Sequence, residues 1–266
     1  MRLKDRVAIV VGAGQSPGEG TGNGRATALT FAREGAHVLC VDHHLDSAQE
    51  TVDLISRAQG SAAALRADVT SDADLIGMVA AAQARWGRID ILHNNVGVSI
   101  AGGDAVLAEL TDANFDRVMA INLRGTIMAC KHVMPVMRAQ RSGAIVNISS
   151  TAAWMVYPYV AYKASKAAMI AFTEQLAIHN APFGIRANVI LPGLMNTPMA
   201  VDTRARAFNK PRAEVEAERD AQVPLRNKMG TGWDVANAAL FLVSDEAGFI
   251  TGVSLPVDGG ASVRVG

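Results

Sequence analysis

The 266-residue chain has only two cysteines, no surplus of charge of either sign, no apolar run long enough to span a bilayer and no low-complexity tract. Cys40 and Cys130 lie within the apolar runs HVLCV and IMACK. That setting suits buried thiols of a reducing compartment better than a disulfide framework and points to the cytoplasm. Lys and Arg number 25 and Asp and Glu number 25, so no global charge favours a nucleic acid or an anionic membrane as partner. The amino-terminal MRLKDRVAIV is basic but lacks the apolar core and cleavage site of an export signal, and nothing later reaches the roughly 18 apolar residues of a membrane span. No composition break marks a linker and no repeat is present. What the chain does have is apolar material: 50% of it is hydrophobic and 19% charged, enough to bury the core of one large α/β domain or two small ones.

Short apolar runs recur at 7–11, 37–41, 62–67, 89–94, 144–149, 185–191 and 253–257, near-continuously apolar as strands covered on both faces must be. Helix-period segments fall between them, at 24–34, 46–58, 71–86, 112–138, 160–180 and 232–242. Thr70 or Ser71, Thr111 and Thr231 each stand ahead of a segment with an early acid, the signature of a capped helix start. Repeated βα units predict a parallel sheet with helices on both faces. Residues 194–226, charged and bounded by Pro192 and Pro224, fit no such unit and read as a lobe over the sheet, in the place of substrate-covering segments.

The first strand runs into VGAGQSPGEGTGNGRATA, residues 11–28, in the turn where a doubly wound sheet binds a dinucleotide. Glycines let the backbone approach a pyrophosphate, and the free amides of the helix start direct positive partial charge at it. GxGxxG is absent. GxxxGxG occurs twice, as Gly14, Gly18, Gly20 and as Gly18, Gly22, Gly24, and the second copy abuts the helix with Asn23 inside it. Asp42, at the end of the second strand, can accept hydrogen bonds from ribose hydroxyls and would repel a 2′-phosphate; no Lys or Arg lies between Gly12 and Gly24, so NAD is expected rather than NADP. The neighbouring His43 and His44 do not make a metal site, and none is expected.

The segment AIVNISSTAAWMVYPYVAYKASKAAM carries the chemistry. Tyr162 and Lys166 are four apart on a helical pattern and share a face. An ammonium one turn away is expected to lower the phenol's pKa and make the tyrosine a general acid or base, with a serine of Ser149–Ser150 holding the substrate oxygen. Tyr159 and Lys163 form a competing frame; the small residues around Tyr162 and Lys166, which leave room for a cofactor, favour the latter pair.

These motifs, with Asp68 in ADVT, Asn94-Asn95-Val96-Gly97, Asn122 in INLRG, Pro192-Gly193 and Thr197 in PGLMNTPM, and ITGVSLPVDGG, resemble the classical short-chain dehydrogenases/reductases over nearly the whole length. The resemblance implies an α/β fold: a single Rossmann-type domain over 1–266 with a doubly wound parallel sheet of about seven strands, order 3-2-1-4-5-6-7, and a small substrate lobe. It implies a catalytic set of Asn122, Ser150, Tyr162 and Lys166, with Asn122 holding a water that links Lys166 to solvent. It also implies a nicotinamide cofactor bordered by Gly12, Gly22, Gly24, Asp42, Asp68, Val69, Asn94, Gly97, Pro192, Gly193, Met195 and Thr197. A homotetramer or homodimer follows from the resemblance of the helices at 112–138 and 160–180 to the family's association surfaces. Three departures stand out: Val11 replaces a threonine, about six residues at Gln15 to Gly20 are inserted and are expected to bulge outward, and Val96 replaces an alanine. The serine-to-tyrosine interval matches the family from Ser149 and is one residue short from Ser150, which leaves the choice of serine open with NISS favouring Ser150.

The expected reaction is hydride transfer between a secondary alcohol or its ketone and the nicotinamide. Val98, Ser99, Trp154, Met155, Tyr157, Leu194 and Met199 are the expected pocket, mainly apolar and suited to a cyclic or aromatic substrate. Arg204, Arg206, Lys210 and Arg212 offer a possible welcome to an acid, though a solvated charged face is the commoner meaning of such a group. The competing functions are a nicotinamide-sensing module without turnover, an NADP-dependent ketone reductase and a sugar-nucleotide epimerase or dehydratase.

Overall fold

A computed structural model describes residues 1–264. Its sheet is built from β1 (Val7–Val11), β2 (His37–Asp42), β3 (Ser61–Arg66), β4 (Ile91–Asn94), β5 (Gly143–Ile148), β6 (Ile185–Pro192) and a last strand, Ser254–Val257. All pairings are parallel, in the order β3-β2-β1-β4-β5-β6 and then the last strand. Strict alternation explains why both faces are apolar. Ala8 and Val10 of β1 look one way with Val38 and Cys40 of β2, toward α1 (Asn23–Arg33), α2 (Leu45–Arg57) and a late helix, Gly232–Val243. Ile9 and Val11, with Leu39 and Val41, look the other way, toward α3 (Asp72–Trp86), α5 (Gly125–Gln140) and α6 (Val160–Asn180). Both cysteines are buried and free.

The caps act as their residue types predict. Ser71 accepts from the Asp74 amide at 3.2 Å, Thr111 from the Asn114 amide at 3.3 Å, and Thr231 and Asp234 close a capping box on the late helix. The expected single helix over 112–138 is a correction. It is α4 (Asp112–Met119), a wide π turn over Ala120–Arg124, and α5. Within that turn the Asn122 side chain is held by the backbone of Val98, a demand regular α geometry would not meet at that point.

Residues after Pro192 leave the sheet. A two-residue strand β7 (Met195–Asn196) pairs with β8 (Gly230–Thr231), and between them stand α7 (Asp202–Phe208) and α8 (Arg212–Asp220). The late helix is thus α9 and the last strand β9. Val201, Val215, Val223 and Met229 give this lobe a small core of its own, with Leu194 and Ala205 against it. The strand order reverses between β1 and β4, which opens a crevice beyond their carboxyl ends. The glycine turn, Asp42 and Asn95 all leave the sheet at that crevice.

Candidate active site

Gly12 has φ +83° and donates its amide to the Val41 carbonyl at 2.8 Å. A β-carbon at Gly24 would lie 1.8 Å from the Gly12 carbonyl oxygen, so strand end and helix start touch backbone to backbone. Asn95 seals this contact by donating Nδ2 to the same oxygen at 3.1 Å. Gly22, at the cap of α1, offers no side-chain cap and the first turn holds no acid, while the buried Asn23 Oδ1 finds no partner. This arrangement fits the pyrophosphate of a dinucleotide: an approachable backbone and a helix start with its positive end open. Asp42 stands at the end of β2, accepting from the Gly14 amide at 3.1 Å and the His44 amide at 3.0 Å. Gly14 is required there, because its β-carbon would fall 2.8 Å from Asp42 Oδ2.

The inserted segment is pinned at both ends of its reach. Gln15 Oε1 accepts from the Gly22 amide at 3.1 Å and its Nε2 donates to Gly20 at 3.2 Å. The far side touches the lobe: Arg206 of α7 donates to the Pro17 carbonyl, Arg212 of α8 donates to the Glu19 carbonyl, and Gly18 lies against Asp202. The segment therefore bridges to the lobe instead of bulging freely into solvent.

On the opposite wall, α6 presents Tyr162 and Lys166. Asp104, 58 residues from Tyr162, accepts from the amides of Ala161 at 3.0 Å and Tyr162 at 2.8 Å, fixing the first turn of α6. Lys166 is buried, donates Nζ to the Ile148 carbonyl at 2.7 Å and sits 5.7 Å from the Tyr162 ring centroid. A β-carbon at Gly97 would meet that nitrogen at 3.1 Å, a close approach that glycine relieves. Burial pulls Lys166 down to about 7. Burial and then the Tyr157 phenol push Tyr162 up to about 12, against the Ser150 hydroxyl and the charges of Arg204 and Arg219, which lower it. Desolvation acts on both groups here, against the lowering of the phenol that a neighbouring ammonium is expected to give, and the lysine lies toward the ring face.

The two serines part as strand alternation requires. Ser149 is buried and donates to the Lys166 carbonyl at 2.7 Å, while Ser150 turns to the Tyr162 phenol. Asn122 accepts from the Val98 amide at 2.7 Å and donates to the Val98 carbonyl at 2.9 Å and to Ser165 at 3.1 Å. In the competing frame, Lys163 donates to the carbonyls of Ala152 and Ala153, and Tyr159 caps α6. That lysine is committed to folding the turn after Ser150.

Other expected residues are spoken for elsewhere. Asn94 is buried and donates to Asn147 at 2.9 Å, tying β4 to β5 inside the core; its neighbour Asn95 is the one at the crevice. Asp68 accepts from the amide and hydroxyl of Thr70, which hold its carboxyl below the usual range, and Val69 packs on Gly125. Gly193 donates to Val257 and is pressed against Asp258; Thr197 turns the chain into α7 by accepting from the amides of Ala200 and Val201. The Met195 side chain is buried under Gly230, and Leu194 belongs to the lobe core rather than to the pocket. Ser99 and Tyr157 do reach the centre: their hydroxyls are 3.3 Å apart, and the Tyr157 and Tyr162 rings are 5.4 Å apart. Trp154, Met155 and Met199 are exposed. Asp104 and Arg219 escaped the sequence analysis, and Asn95 was named within its motif without a role. Asp104 left only a local trace, as an acid within a glycine-rich loop.

The profile of a family described as Enoyl-(Acyl carrier protein) reductase matches residues 19–262. The chain is similar to 2-(R)-hydroxypropyl-CoM dehydrogenase of Xanthobacter autotrophicus, 34% identical over 256 residues that cover 96% of this chain and 97% of that one. It is also similar to levodione reductase of Leifsonia aquatica, at 33% over 264 residues, 98% and 96% of the two chains. Among solved structures, a Burkholderia xenovorans protein assigned to the short-chain dehydrogenases/reductases superposes with TM-score 0.90 at 44% identity, covering 100% of this chain and 99% of that one. A levodione reductase structure superposes with TM-score 0.92 at 30% identity, over 99% and 100%. The chain belongs to the short-chain dehydrogenase/reductase family. It is an oxidoreductase acting on hydroxyl groups with a nicotinamide cofactor of the NAD(P) kind.

Proposed function

We propose that the chain is an NAD-dependent enzyme interconverting a secondary alcohol and its ketone, on a substrate with an apolar, cyclic or aromatic body. The observation that carries this reading is the grouping of Tyr162 with Ser150 on one side and Lys166 on the other, the lysine reaching in beside Gly97. Bound nicotinamide supplies the acceptor or donor of hydride. The protein's own part is to hold the oxygen and move its proton. Ser150 holds the substrate oxygen by hydrogen bond, and the Tyr162 phenol gives its proton to that oxygen or takes it back. A phenol at about 12 is a fully loaded acid at neutral pH. Lys166, at about 7, can carry a charge or release it within the working range, which suits a residue that restores the phenol's proton. Asn122 keeps the Val98 backbone, and with it the floor of the site, in place. Asp42, with both oxygens facing backbone amides at the end of β2, favours NAD over NADP because a 2′-phosphate there would meet its charge. Tyr157 within, with Trp154 and Met155 exposed just before it in sequence and Met199 exposed at the start of the lobe, supports the apolar body. The same reading gives a homodimer or homotetramer through α4–α5 and α6, where Ile178 stands exposed.

A panel of cyclic and aromatic alcohols and ketones, assayed with NAD and with NADP by nicotinamide absorbance, tests the proposal. Tyr162→Phe is expected to lose at least about 10²-fold in kcat while binding NAD as the parent does. Turnover at the parent rate in this variant sinks the role given to the phenol. Tight NAD binding with no alcohol oxidised would support a sensing module instead.

A further inference from the structure

The lobe carries its cations in two classes. Lys210 pairs with Glu214 and Glu218, Arg212 with Glu216 and Asp202, and Lys228 with Asp220 at 2.6 Å. Arg204, Arg206, Arg219 and Arg226 pair with no carboxylate among the described residues; Arg206 and Arg226 are exposed, whereas Arg204 of α7 and Arg219 of α8 are half-buried. Arg204 donates to the Ala200 carbonyl at 2.9 Å and to the Tyr157 hydroxyl at 3.4 Å, and that hydroxyl lies 3.3 Å from Ser99. Arg219 donates Nε to the thioether of Met229 at 3.3 Å, a weak acceptor. Asp220, beside it in sequence, is committed to Lys228 and to the Met229 amide at 2.8 Å.

Arg219 is held at about 10, below the usual guanidinium value, by burial first and the nearby charge of Arg204 second; the phenols of Tyr157 and Tyr162 are close enough to act on it too. Two guanidiniums without an acid thus stand in the lobe with most of their ten donors unused: Arg204 hydrogen-bonded to Tyr157, whose ring packs on the candidate catalytic phenol, and Arg219 partly desolvated and near enough to feel the charge of Arg204. Desolvation and like-charge repulsion make this arrangement unfavourable by itself. An oxyanion between them would relieve both, and the planar fork of arginine suits carboxylate, sulfonate and phosphate alike.

We infer that Arg204 and Arg219 form an anion subsite, and that the substrate alcohol or ketone carries a carboxylate, sulfonate or phosphate group which this pair holds while the carbinol carbon faces Tyr162. This rests on the proposed function for its reaction, though not for its binding. The apolar body then lies between two polar ends, the reacting oxygen at Ser150 and Tyr162 and the acid at the arginines. Tyr157 orients Arg204 through its hydroxyl and packs its ring on Tyr162, so it couples the two ends.

The test is calorimetric, on the full chain saturated with NAD, with probes that differ in charge alone: cyclohexanecarboxylate against cyclohexanecarboxamide, and benzenesulfonate against benzenesulfonamide. The parent protein is expected to prefer each anion by roughly tenfold or more, and Arg204→Gln and Arg219→Gln each to lose most of that preference. Arg219→Lys, which keeps charge and loses the fork, is expected to recover part of it. The carboxylate and sulfonate arms tell planar from tetrahedral anions, and inorganic phosphate serves as the third. Thermal unfolding of each variant confirms that it is folded. Equal affinity for charged and neutral probes in the parent, or an anion preference undiminished in both glutamine variants, overturns the subsite. So does a fall of NAD affinity in both variants without change in probe preference, which would give the arginines to the cofactor. Tyr162→Phe separates the two proposals, since it is expected to abolish turnover and retain the anion preference. No oxidation of any alcohol by the parent, with the preference intact, defeats the reaction and leaves the subsite standing.

Discussion

Ser149 and Ser150 are neighbours in sequence with opposite duties in space. The Ser149 hydroxyl is buried and donates to the Lys166 carbonyl, so it belongs to the packing of β5 on α6. Ser150 faces the phenol. Ser149→Ala is expected to cost about 1–2 kcal/mol of stability, by stranding a buried carbonyl, with activity reduced only modestly. Ser150→Ala, which also gives up the Ala152 amide accepted at 3.1 Å, is expected to cost at most about 1 kcal/mol of stability and to lower kcat about 10²-fold or more. Urea unfolding and steady-state rates on both variants decide between them; reversed phenotypes would hand the substrate oxygen to Ser149. Period-2 alternation announced that only one serine serves, but which one depended on where α6 lay, and no local signal in NISS carries that.

At the scale of elements, the site depends on how α6 is held. Its buried positions, Ala161, Ser165, Lys166, Met169, Thr173, Ala177 and Asn180, recur at helical spacing, and the sequence alone placed the helix over 160–180 with Tyr162 and Lys166 on one face. Its register along the crevice is set from outside, by Asp104 accepting the amides of Ala161 and Tyr162. A carboxylate there both satisfies two orphan amides and complements the helix dipole. Asp104→Ala is expected to destabilise the protein by about 1–3 kcal/mol and to lower kcat more than NAD affinity, since the phenol shifts while the glycine turn stands untouched. Circular dichroism melts, kcat and NAD titration test it, and an unchanged kcat would mean that α6 is positioned by packing alone. The π turn at Ala120–Arg124 is the complementary case: the sequence pattern ran helical through it, because apolar spacing cannot register one extra residue that a side-chain contact to Val98 demands.

For the whole molecule, a buried lysine sets a pH dependence. Lys166 is held at about 7 in the folded protein and reverts toward 10.5 on unfolding. Between those values the unfolded chain binds the additional proton, so stability rises with pH across about 7 to 10. Tyr162, raised from 10 to about 12, binds its proton more tightly when folded and opposes this only above pH 10. Lys166→Met removes the first effect at nearly constant volume. Relative to that variant, the parent is expected to gain on the order of 1–4 kcal/mol between pH 6.5 and 9.5. Parallel denaturation curves for the two proteins at both pH values check it, and a difference independent of pH would show that the ammonium is solvated in the folded state.

By itself the sequence determined the seven parallel strands, the turn at which a dinucleotide fits, and the pair Tyr162 and Lys166. These rest on local regularities: alternating apolar runs covered on both faces, capped helix starts, glycines where backbones touch, and a four-residue spacing. Only the tertiary structure divided the duties of Ser149 and Ser150, desolvated the phenol and the lysine together, set Asn95 and not Asn94 at the crevice, and left Arg204, on Tyr157, and Arg219, on Met229, without acids. Each of those outcomes joins groups far apart along the chain, and the desolvation and Coulomb energies that decide them exist only once the intervening chain has folded away the water.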